Sequence, residues 1–549
     1  MMCRDRIFTR AIAPLLTLGL FAGCSGDDSA TGSESDSATS TASETSPTST
    51  SPTATATATA TATESTTDPS GSGTDSDSTS TTTTTTNPTT GETDTTLGTT
   101  VDPTDSTTTG TTAVTATDST DGTSTTGPEC QEDLDCPDGQ ICVENMCEPA
   151  PECVVDEDCG DEQYCDAGSC KDKCKPGDGG MMGMVQKSYI WVPSMNDGTV
   201  SKVDTLTLTE VARYRTGPNG GGESGSRTAV SADGRFVVVN GRGSGRSTMI
   251  AANVEDCVDG NNDNVIQTSQ NKDDILAWGA DECVRWSLVH PEWGGSNSNG
   301  PRGITWTVGT WNDDPNVCAW EDPKVWVGYR SKQAGTAHLV ELDGQTGNLD
   351  QTVAVNNWVG QSSFAPYGGA LDPQQRPWFS ALRGELVRVN TDQDPVTVSR
   401  WTPPSWVQSY GFSVDKDGNP WMGGCSGPVS TFDVESEQWI KIEGTQACHR
   451  GVAVDQDSHV WVASNGPCGL VEIDGITRTL IKKHTLSKCQ TAIGPSVDVE
   501  GHLWLVDQGG WAFKIVDKDV PNAQLVTIPG THYVYSDMTG GQVQSVVPM

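Results

Sequence analysis

Apolar and polar residues alternate in short stretches from about residue 188 onward, as in antiparallel strands with one buried face. Glycine, asparagine and aspartate separate these stretches. In one recurrent stretch a tryptophan follows an aspartate by six positions. The copies are LDPQQRPW (371–378), VDKDGNPW (414–421), VDQDSHVW (454–461) and VDVEGHLW (497–504). Their spacing of about 40 residues predicts a repeat architecture.

Each copy continues into a second strand that ends in a short polar residue. Weaker copies, at 188–204, 229–239 and 324–343, complete the set. Seven units of four short strands predict an all-β fold, a seven-bladed β-propeller over residues 175–549 with an insertion at 255–301. We expect the tryptophans to pack between neighbouring blades.

The two ends of this region predict how the ring closes. The first unit begins at its tryptophan strand and lacks the strand before it, whereas 533–544 reads as a strand with no tryptophan strand after it. We therefore expect 533–544 to be the innermost strand of the first blade, so that no open sheet edge remains.

The N-terminal segments predict export. Residues 1–24 combine arginines with a short apolar stretch and end in LFAGC, which resembles the lipobox of bacterial lipoproteins, with Cys24 as the lipidated residue. A plain secretory signal cut nearby is the alternative. Residues 25–129 are Thr/Ser-rich, hold sixteen acidic residues and no lysine or arginine, and predict a disordered linker.

Residues 130–174 contain nine cysteines, eight of which form two copies offset by 23 residues, each with the sequence DxDC, and Cys174 is left over. Zinc would favour C-x-x-C pairs, whereas an exported stretch with few apolar residues favours disulfides. The unit resembles short cysteine-rich repeats of extracellular proteins. Each copy allows three internal pairings.

The net charge of -40 makes nucleic acid an improbable partner, because phosphate binding requires a basic patch. Divalent cations and basic surfaces remain compatible with this charge.

The repeat xxG(I/V)xVDxDGxxWxxx resembles that of virginiamycin B lyases (streptogramin lyases), which are seven-bladed propellers. In that family a histidine before the repeat glycine and a glutamate three residues after the tryptophan serve a magnesium-assisted elimination. The histidine slot here holds Arg302, Tyr367, Tyr410, Arg450 and Ile493. The glutamate slot holds Tyr329, Ala381, Gly424, Ser464 and Asp507. These departures put the lyase activity in doubt.

The slot before the repeat glycine begins the innermost strand, so its side chains should ring one mouth of the central channel. The planar guanidinium groups of arginines and the aromatic rings of tyrosines there predict a binding site for an anionic or glycan-like ligand. The alternative is that these side chains only form hydrogen bonds with neighbouring loops. The predicted binding residues are Arg227, Arg302, Tyr367, Tyr410 and Arg450.

The insertion predicts a second site. Asp259, Asn261 and Asp263 follow the alternating oxygen pattern of a calcium loop, and Asp273 could supply a further carboxylate. The expected sixth-position glycine and twelfth-position glutamate are Asn264 and Gln270, so an acidic surface loop is the alternative.

Propeller geometry also predicts disulfides, because the turn after the tryptophan strand and the connection into the next blade fall on one face. The expected pairs on this face are Cys425–Cys448 and Cys468–Cys489. Cys257 and Cys283 should close the insertion, and Cys174 and Cys318 stay unassigned, with a bridge between them as one alternative. The sequence thus predicts a lipid-anchored envelope protein that binds a glycan, a small anion or an envelope protein. A lyase or hydrolase is the alternative, and calcium is the one cofactor indicated.

If Cys24 carries the anchor, Cys24→Ser should move the protein from the membrane fraction to the soluble fraction without changing its fold. Fractionation with immunoblotting measures this. A variant that stays in the membrane fraction as firmly as the wild type would contradict the anchor.

Overall fold

The structure, a computed structural model, describes residues 130–176, 188–361 and 364–547. The predicted signal segment with Cys24 and the linker 25–129 lie outside the described residues. The described residues divide into two compact units, one containing 130–149 and the other containing the described residues from 150 to 547. Within the described ranges, no helix combines the length and apolar character that crossing a membrane requires.

The first cysteine repeat is a 3₁₀ turn followed by a hairpin: Asp133–Asp135, β1 (Gln140–Val143) and β2 (Met146–Pro149). Asp135 accepts hydrogen bonds from the backbone N–H groups of Gln131 (2.9 Å) and Glu132 (3.1 Å), which lower the pKa of this carboxyl. Disulfides join Cys130 to Cys142 and Cys136 to Cys147.

The second repeat has the same construction, with the 3₁₀ turn Asp156–Asp158, β3 (Gln163–Asp166) and β4 (Ser169–Asp172). Asp158 accepts from Val154 and Val155 as Asp135 does in the first copy. Its bridges are Cys153–Cys165 and Cys159–Cys170. The DxDC motif is therefore the turn that positions one cysteine, and each repeat pairs its first cysteine with its third and its second with its fourth.

Residues 188–547 form successive antiparallel meanders. The first sheet has three strands: β5 (Tyr189–Ser194), β6 (Thr199–Asp204) and β7 (Thr209–Arg215). The second has four: β8 (Gly225–Val230), β9 (Phe236–Gly241), β10 (Arg246–Ala251) and β11 (Val284–Val289). Strand β11 belongs to the predicted insertion 255–301, so this insertion supplies the outer strand of the second sheet.

The third sheet contains β12 (Ile304–Trp306), β15 (Lys324–Arg330), β16 (Ala337–Asp343) and β17 (Leu349–Val355), with the side hairpin β13 (Thr310–Asn312) and β14 (Ala319–Glu321). The fourth contains β18 (Gly368–Leu371), β19 (Pro377–Ser380), β20 (Leu386–Asn390) and β21 (Thr397–Trp401).

Two further meanders are joined in one eight-stranded sheet. They are β22 (Ser409–Val414), β23 (Pro420–Gly427), β24 (Ser430–Asp433) and β25 (Gln438–Lys441), then β26 (Ala447–Val454), β27 (His459–Asn465), β28 (Cys468–Asp474) and β29 (Thr479–Thr485). The last sheet contains β30 (Ala492–Val497), β31 (Leu503–Asp507), β32 (Trp511–Ile515) and β33 (Gln524–Thr527), and the helix α1 (Gly541–Val546) follows. Because β23 pairs with β26, the sheets alone do not settle the blade count, and seven stays a prediction.

The first strands of the four-stranded meanders lie side by side: β8, β12, β18, β22, β26 and β30 contact one another in this order. Their glycines permit the close approach. A Cβ at Gly411 would lie 1.9 Å from the carbonyl oxygen of Arg450 on the next strand. The repeat glycine is therefore a packing requirement of the ring.

The C-terminal segment 531–538 closes this ring. Trp191 donates its backbone N–H to Met538 (2.9 Å), so the segment runs along β5. On one side, a Cβ at Gly494 of β30 would lie 2.3 Å from the carbonyl oxygen of Val534. On the other, the N–H of Thr228 in β8 donates to Ser536 (2.9 Å). The C-terminus thus takes the place of the missing inner strand, as the sequence predicts, but the one strand-type pairing within 531–538 is the isolated bridge between Ser194 and His532.

The expected extent of this closing strand, 533–544, is wrong at its end. Gly540 has a φ of 89°, which turns the chain into α1, and α1 contacts β18, β22, β26 and β30. The last residues therefore fill one end of the channel and do not extend the strand.

A hydrogen bond joins the aspartate and the tryptophan of each recurrent copy. In each of the four copies the aspartate Oδ2 accepts from the indole Nε1–H, and its Oδ1 accepts a backbone N–H four residues on. The indole bonds are Asp372–Trp378 (3.0 Å), Asp415–Trp421 (2.8 Å), Asp455–Trp461 (2.9 Å) and Asp498–Trp504 (2.9 Å). The backbone donors are Arg376, Asn419, His459 and His502.

These tryptophans also pack across the gap to the next meander. Trp421 of β23 lies in one apolar cluster with Val452 of β26 and Val460 of β27. The indole therefore joins two sheets through its ring and one turn through its nitrogen.

Asp415→Ala should lower the free energy of unfolding by about 2–4 kcal/mol, because it removes the acceptor of a buried indole and of two backbone N–H groups. Urea unfolding measures the loss. Asp417→Ala, an exposed acid in the same turn, is the control and should change stability by less than about 0.5 kcal/mol. Equal effects of the two substitutions would contradict the role of the carboxylate.

Candidate functional site

The five predicted binding residues come together in the channel, where the inner strands begin. The guanidinium carbon of Arg227 lies 5.1 Å from the ring centre of Tyr367, and that of Arg302 lies 5.4 Å from it. The rings of Tyr367 and Tyr410 are 5.2 Å apart. Arg450 donates from Nη1 to the Tyr410 hydroxyl (2.6 Å). We call this group, with Tyr533 and Tyr535, the channel cluster.

The closing segment supplies the centre of the channel cluster. The Tyr533 hydroxyl contacts the hydroxyls of Tyr367 (2.7 Å) and Tyr410, and it accepts from Tyr535 (3.3 Å). The Tyr535 ring stacks under the Arg227 guanidinium at 3.3 Å. The sequence had predicted 533–544 as an inner strand, and its two tyrosines were the signal that would have added them to the site.

Burial distinguishes the cluster from an open ring of side chains. Arg227 is 1% exposed and Arg302 0%, while Tyr367 and Tyr410 are also buried. Arg450 is half-buried, as are Met195 and Phe364, which pack against the cluster. Burial raises the pKa of Tyr367, Tyr410 and Tyr535, so these phenols are neutral hydrogen-bonding groups.

The charge in the cluster is positive. Among the described residues, no carboxylate oxygen lies within 4 Å of a guanidinium nitrogen of Arg227 or Arg450. The Nε and Nη2 atoms of Arg227 and the Nε of Arg450 also have no hydrogen-bond partner there. Cation–π contacts with tyrosine rings provide part of the compensation.

Arg242, which the sequence did not single out, extends the cluster. Its guanidinium carbon lies 4.7 Å from the Tyr533 ring centre, and its Nε donates to Ser224 (3.1 Å). Arg302 points into its own loop as well, where its Nη1 donates to the carbonyl oxygens of Asn297 (2.9 Å) and Ser298 (3.0 Å). The arginines therefore also hold the loops around the mouth.

The catalytic slots of the resembled lyases are filled by side chains with other roles. Asp507, the one acidic residue in these slots, is buried and accepts hydrogen bonds from the backbone N–H groups of Gln490, Thr491 and Gly509. Burial raises the pKa of Asp507. His449 is buried too, and burial lowers its pKa to about 4. Guanidinium groups cannot hold a divalent cation, so the residues of the cluster do not fit the family's magnesium.

In the insertion, the predicted calcium ligands shape turns. Asp259 accepts from the N–H groups of Asn262 (2.6 Å) and Asn264 (2.8 Å), and Asp263 from that of Val265 (2.9 Å). The amide oxygen of Asn261 accepts from Asp263 (2.8 Å), and Asp273 pairs with Lys272 (2.6 Å). Calcium at these residues stays a prediction.

The remaining cysteines form four bridges. Cys425–Cys448 and Cys468–Cys489 are the pairs that the propeller geometry predicts, Cys257–Cys283 closes the insertion as expected, and the unassigned Cys174 and Cys318 are joined to each other. The last bridge ties the end of the second cysteine repeat to the loop between β13 and β14, and Trp311 of β13 donates to the carbonyl oxygen of Cys174 (3.0 Å). Eight disulfides among the described residues indicate an oxidising compartment.

No family model and no curated protein matches the chain. Among solved structures, it is similar to virginiamycin B lyase from Staphylococcus aureus, with 10% identity over 56% of this chain and 85% of that one and a TM-score of 0.37. It is also similar to a functionally unknown protein from Desulfotomaculum acetoxidans (12% identity, 64% and 100% covered, TM-score 0.43) and to a protein from Lactobacillus plantarum (12%, 64% and 98%, 0.42). Such values assign no activity, and the fold rests on the strands and contacts described above.

Proposed function

We propose that this chain is an exported binding protein whose channel cluster recognises an anionic ligand, a carboxylate or phosphate group on a small molecule or an acidic glycan. The observation that supports this most directly is the pair of arginines, Arg227 and Arg450, that lie among neutral phenols without a carboxylate partner.

The energetic argument starts from desolvation. A charged group moved from water into a protein interior loses hydration, and this loss is recovered only through a partner of opposite charge or good hydrogen bonds. The contacts of Arg227 with tyrosine rings recover part of it, but two of its nitrogens keep unused donors. An anion at the mouth would use donors of this kind and neutralise the charge.

The ligand would reach the cluster from the side of Arg450. This arginine is half-buried, whereas Arg227 and Arg302 lie deeper. Met195 and Phe364, also half-buried, flank the same region. Arg450 would contact the ligand directly. The charge of the deeper Arg227 would add to the positive electrostatic potential at the mouth. Aromatic faces beside charged donors suit a sugar that carries an acidic group.

The other parts of the chain would present this site. A lipid anchor at Cys24, a linker over 25–129 and the disulfide-bonded repeats would hold the propeller away from a membrane surface in the cell envelope. A lyase or hydrolase at the same mouth is not favoured by any observation, because the ionisable groups of the cluster are arginines and neutral tyrosines.

Binding is tested by titrating the full chain with inorganic phosphate, with glucuronate and with uncharged glucose in a calorimeter. We expect one or both anions to bind and glucose not to bind. Arg450→Gln should weaken anion binding by about tenfold or more, because it removes a charge-assisted hydrogen bond.

Lys482→Gln, which removes the same charge from an exposed position on β29, is the matched control and should leave the affinity unchanged. If neither anion binds, or if both variants behave alike, the arginines serve only to pack the channel.

A further inference from the structure

The end of the channel opposite to the channel cluster encloses a small cavity. It has a volume of about 10 Å³, and its walls come from the ends of β22, β26 and β30, from the closing segment and from α1. The polar side chains that line it are Ser413, Ser496, Ser536, Asp537 and Gln542. A cavity of this size accommodates one water molecule or one small ion.

Asp537 is the charged residue of this cavity. It is 5% exposed, and its Oδ1 accepts from the backbone N–H groups of Thr539 (3.1 Å) and Gly540 (2.8 Å). Its Oδ2 has no hydrogen-bond partner among the described residues. Within the same ranges, no basic nitrogen lies within 4 Å of the carboxylate. The buried carboxylate thus faces backbone N–H groups, including those of Gln542 and Val543 in α1, but has no cationic partner among the described residues.

The other lining groups are neutral oxygen donors. Ser413 accepts from the Gln542 amide (3.2 Å), and Ser536 accepts from the Thr228 N–H (2.9 Å), so each hydroxyl oxygen keeps a lone pair. One carboxylate with several neutral oxygens is the ligand chemistry that hard cations of low charge prefer.

We propose that this cavity binds a small cation, with the Asp537 carboxylate as its charged ligand and the hydroxyls of Ser413 and Ser536 as neutral ligands. Sodium balances the single negative charge, whereas a water molecule of the same size would leave that charge buried. The ion would tie the closing segment to β22, so it would stabilise the contact that completes the ring.

The acid–base behaviour of Asp537 agrees with this assignment. Burial raises its pKa to about 6, above the value of an exposed aspartate. The folded protein therefore holds a proton more tightly than the unfolded chain, and without a cation its stability falls as pH rises from about 4 to about 6. The other residues that line the cavity do not titrate. Above this range the carboxylate is free to take a cation.

The test compares melting temperatures of the full chain at pH 8 in sodium chloride and in choline chloride of equal ionic strength, with a calcium chelator present. Sodium should raise the melting temperature by about 2 °C or more, because binding to the folded state adds stability. Asp537→Asn, which keeps the shape and removes the charge, should abolish the difference.

Asp417→Asn, an exposed acid outside both candidate sites, is the control and should keep the full response to sodium. If Asp537→Asn does not fold, Ser413→Ala should reduce the response. Equal melting temperatures of the wild type in the two salts, or a sodium response that Asp537→Asn retains, would overturn the proposal and leave the cavity with water only.

Discussion

The hydrogen bond from a tryptophan indole to the aspartate six residues before it is the interaction on which this fold depends. Its carboxylate holds both ends of one turn, through the backbone at Oδ1 and through the indole at Oδ2. The same indole packs against the next sheet. A local turn is thereby coupled to the contact between sheets. A fold whose meanders each contact mainly their neighbours gains most from such a repeated link.

The two ends of the channel carry opposite charges, and the C-terminal segment fills both of them. At one end Tyr533 and Tyr535 lie among the arginines, and at the other Asp537 and α1 close the cavity. The closing segment runs between β30 and β8, so the residues that complete the ring also contribute to the channel cluster and line the cavity. Ring closure and both proposed sites therefore involve the same eight residues, 531–538.

Much of the fold could be predicted because its characteristic residues recur at regular intervals along the chain. The Asp-to-Trp interval marks the strands, and the missing first strand identifies the C-terminus as its replacement. The bridges Cys425–Cys448 and Cys468–Cys489 follow from the position of each cysteine within the repeat. Pairings inside the cysteine repeats could not be predicted, because evenly spaced cysteines leave three alternatives and the choice depends on the turn made by Asp133 and Asp135.

The sequence indicated which residues gather in the channel, but it did not indicate how deeply they are buried. The inner-strand slot indicated Arg227, Arg302, Tyr367, Tyr410 and Arg450, but spacing carries no information on how far a side chain lies below the mouth. Helix α1 was missed because GQVQSV is as compatible with a strand as with a helix, and the space left at the end of the channel determines its conformation. The hydrogen bond between each indole and its aspartate was not predicted either. The sequence shows the six-residue interval between the two residues, but it does not show that their side chains are in contact.

The central claim is tested most directly by the proton NMR signals of the indole N–H groups. Trp378, Trp421, Trp461 and Trp504 donate to carboxylates, whereas Trp191 is equally buried and its Nε1 has no partner among the described residues. We expect the four signals to lie downfield of that of Trp191 and to exchange with deuterium more slowly, since burial is the same and the carboxylate differs. Shifts and exchange rates that do not separate the four from Trp191 would contradict the account.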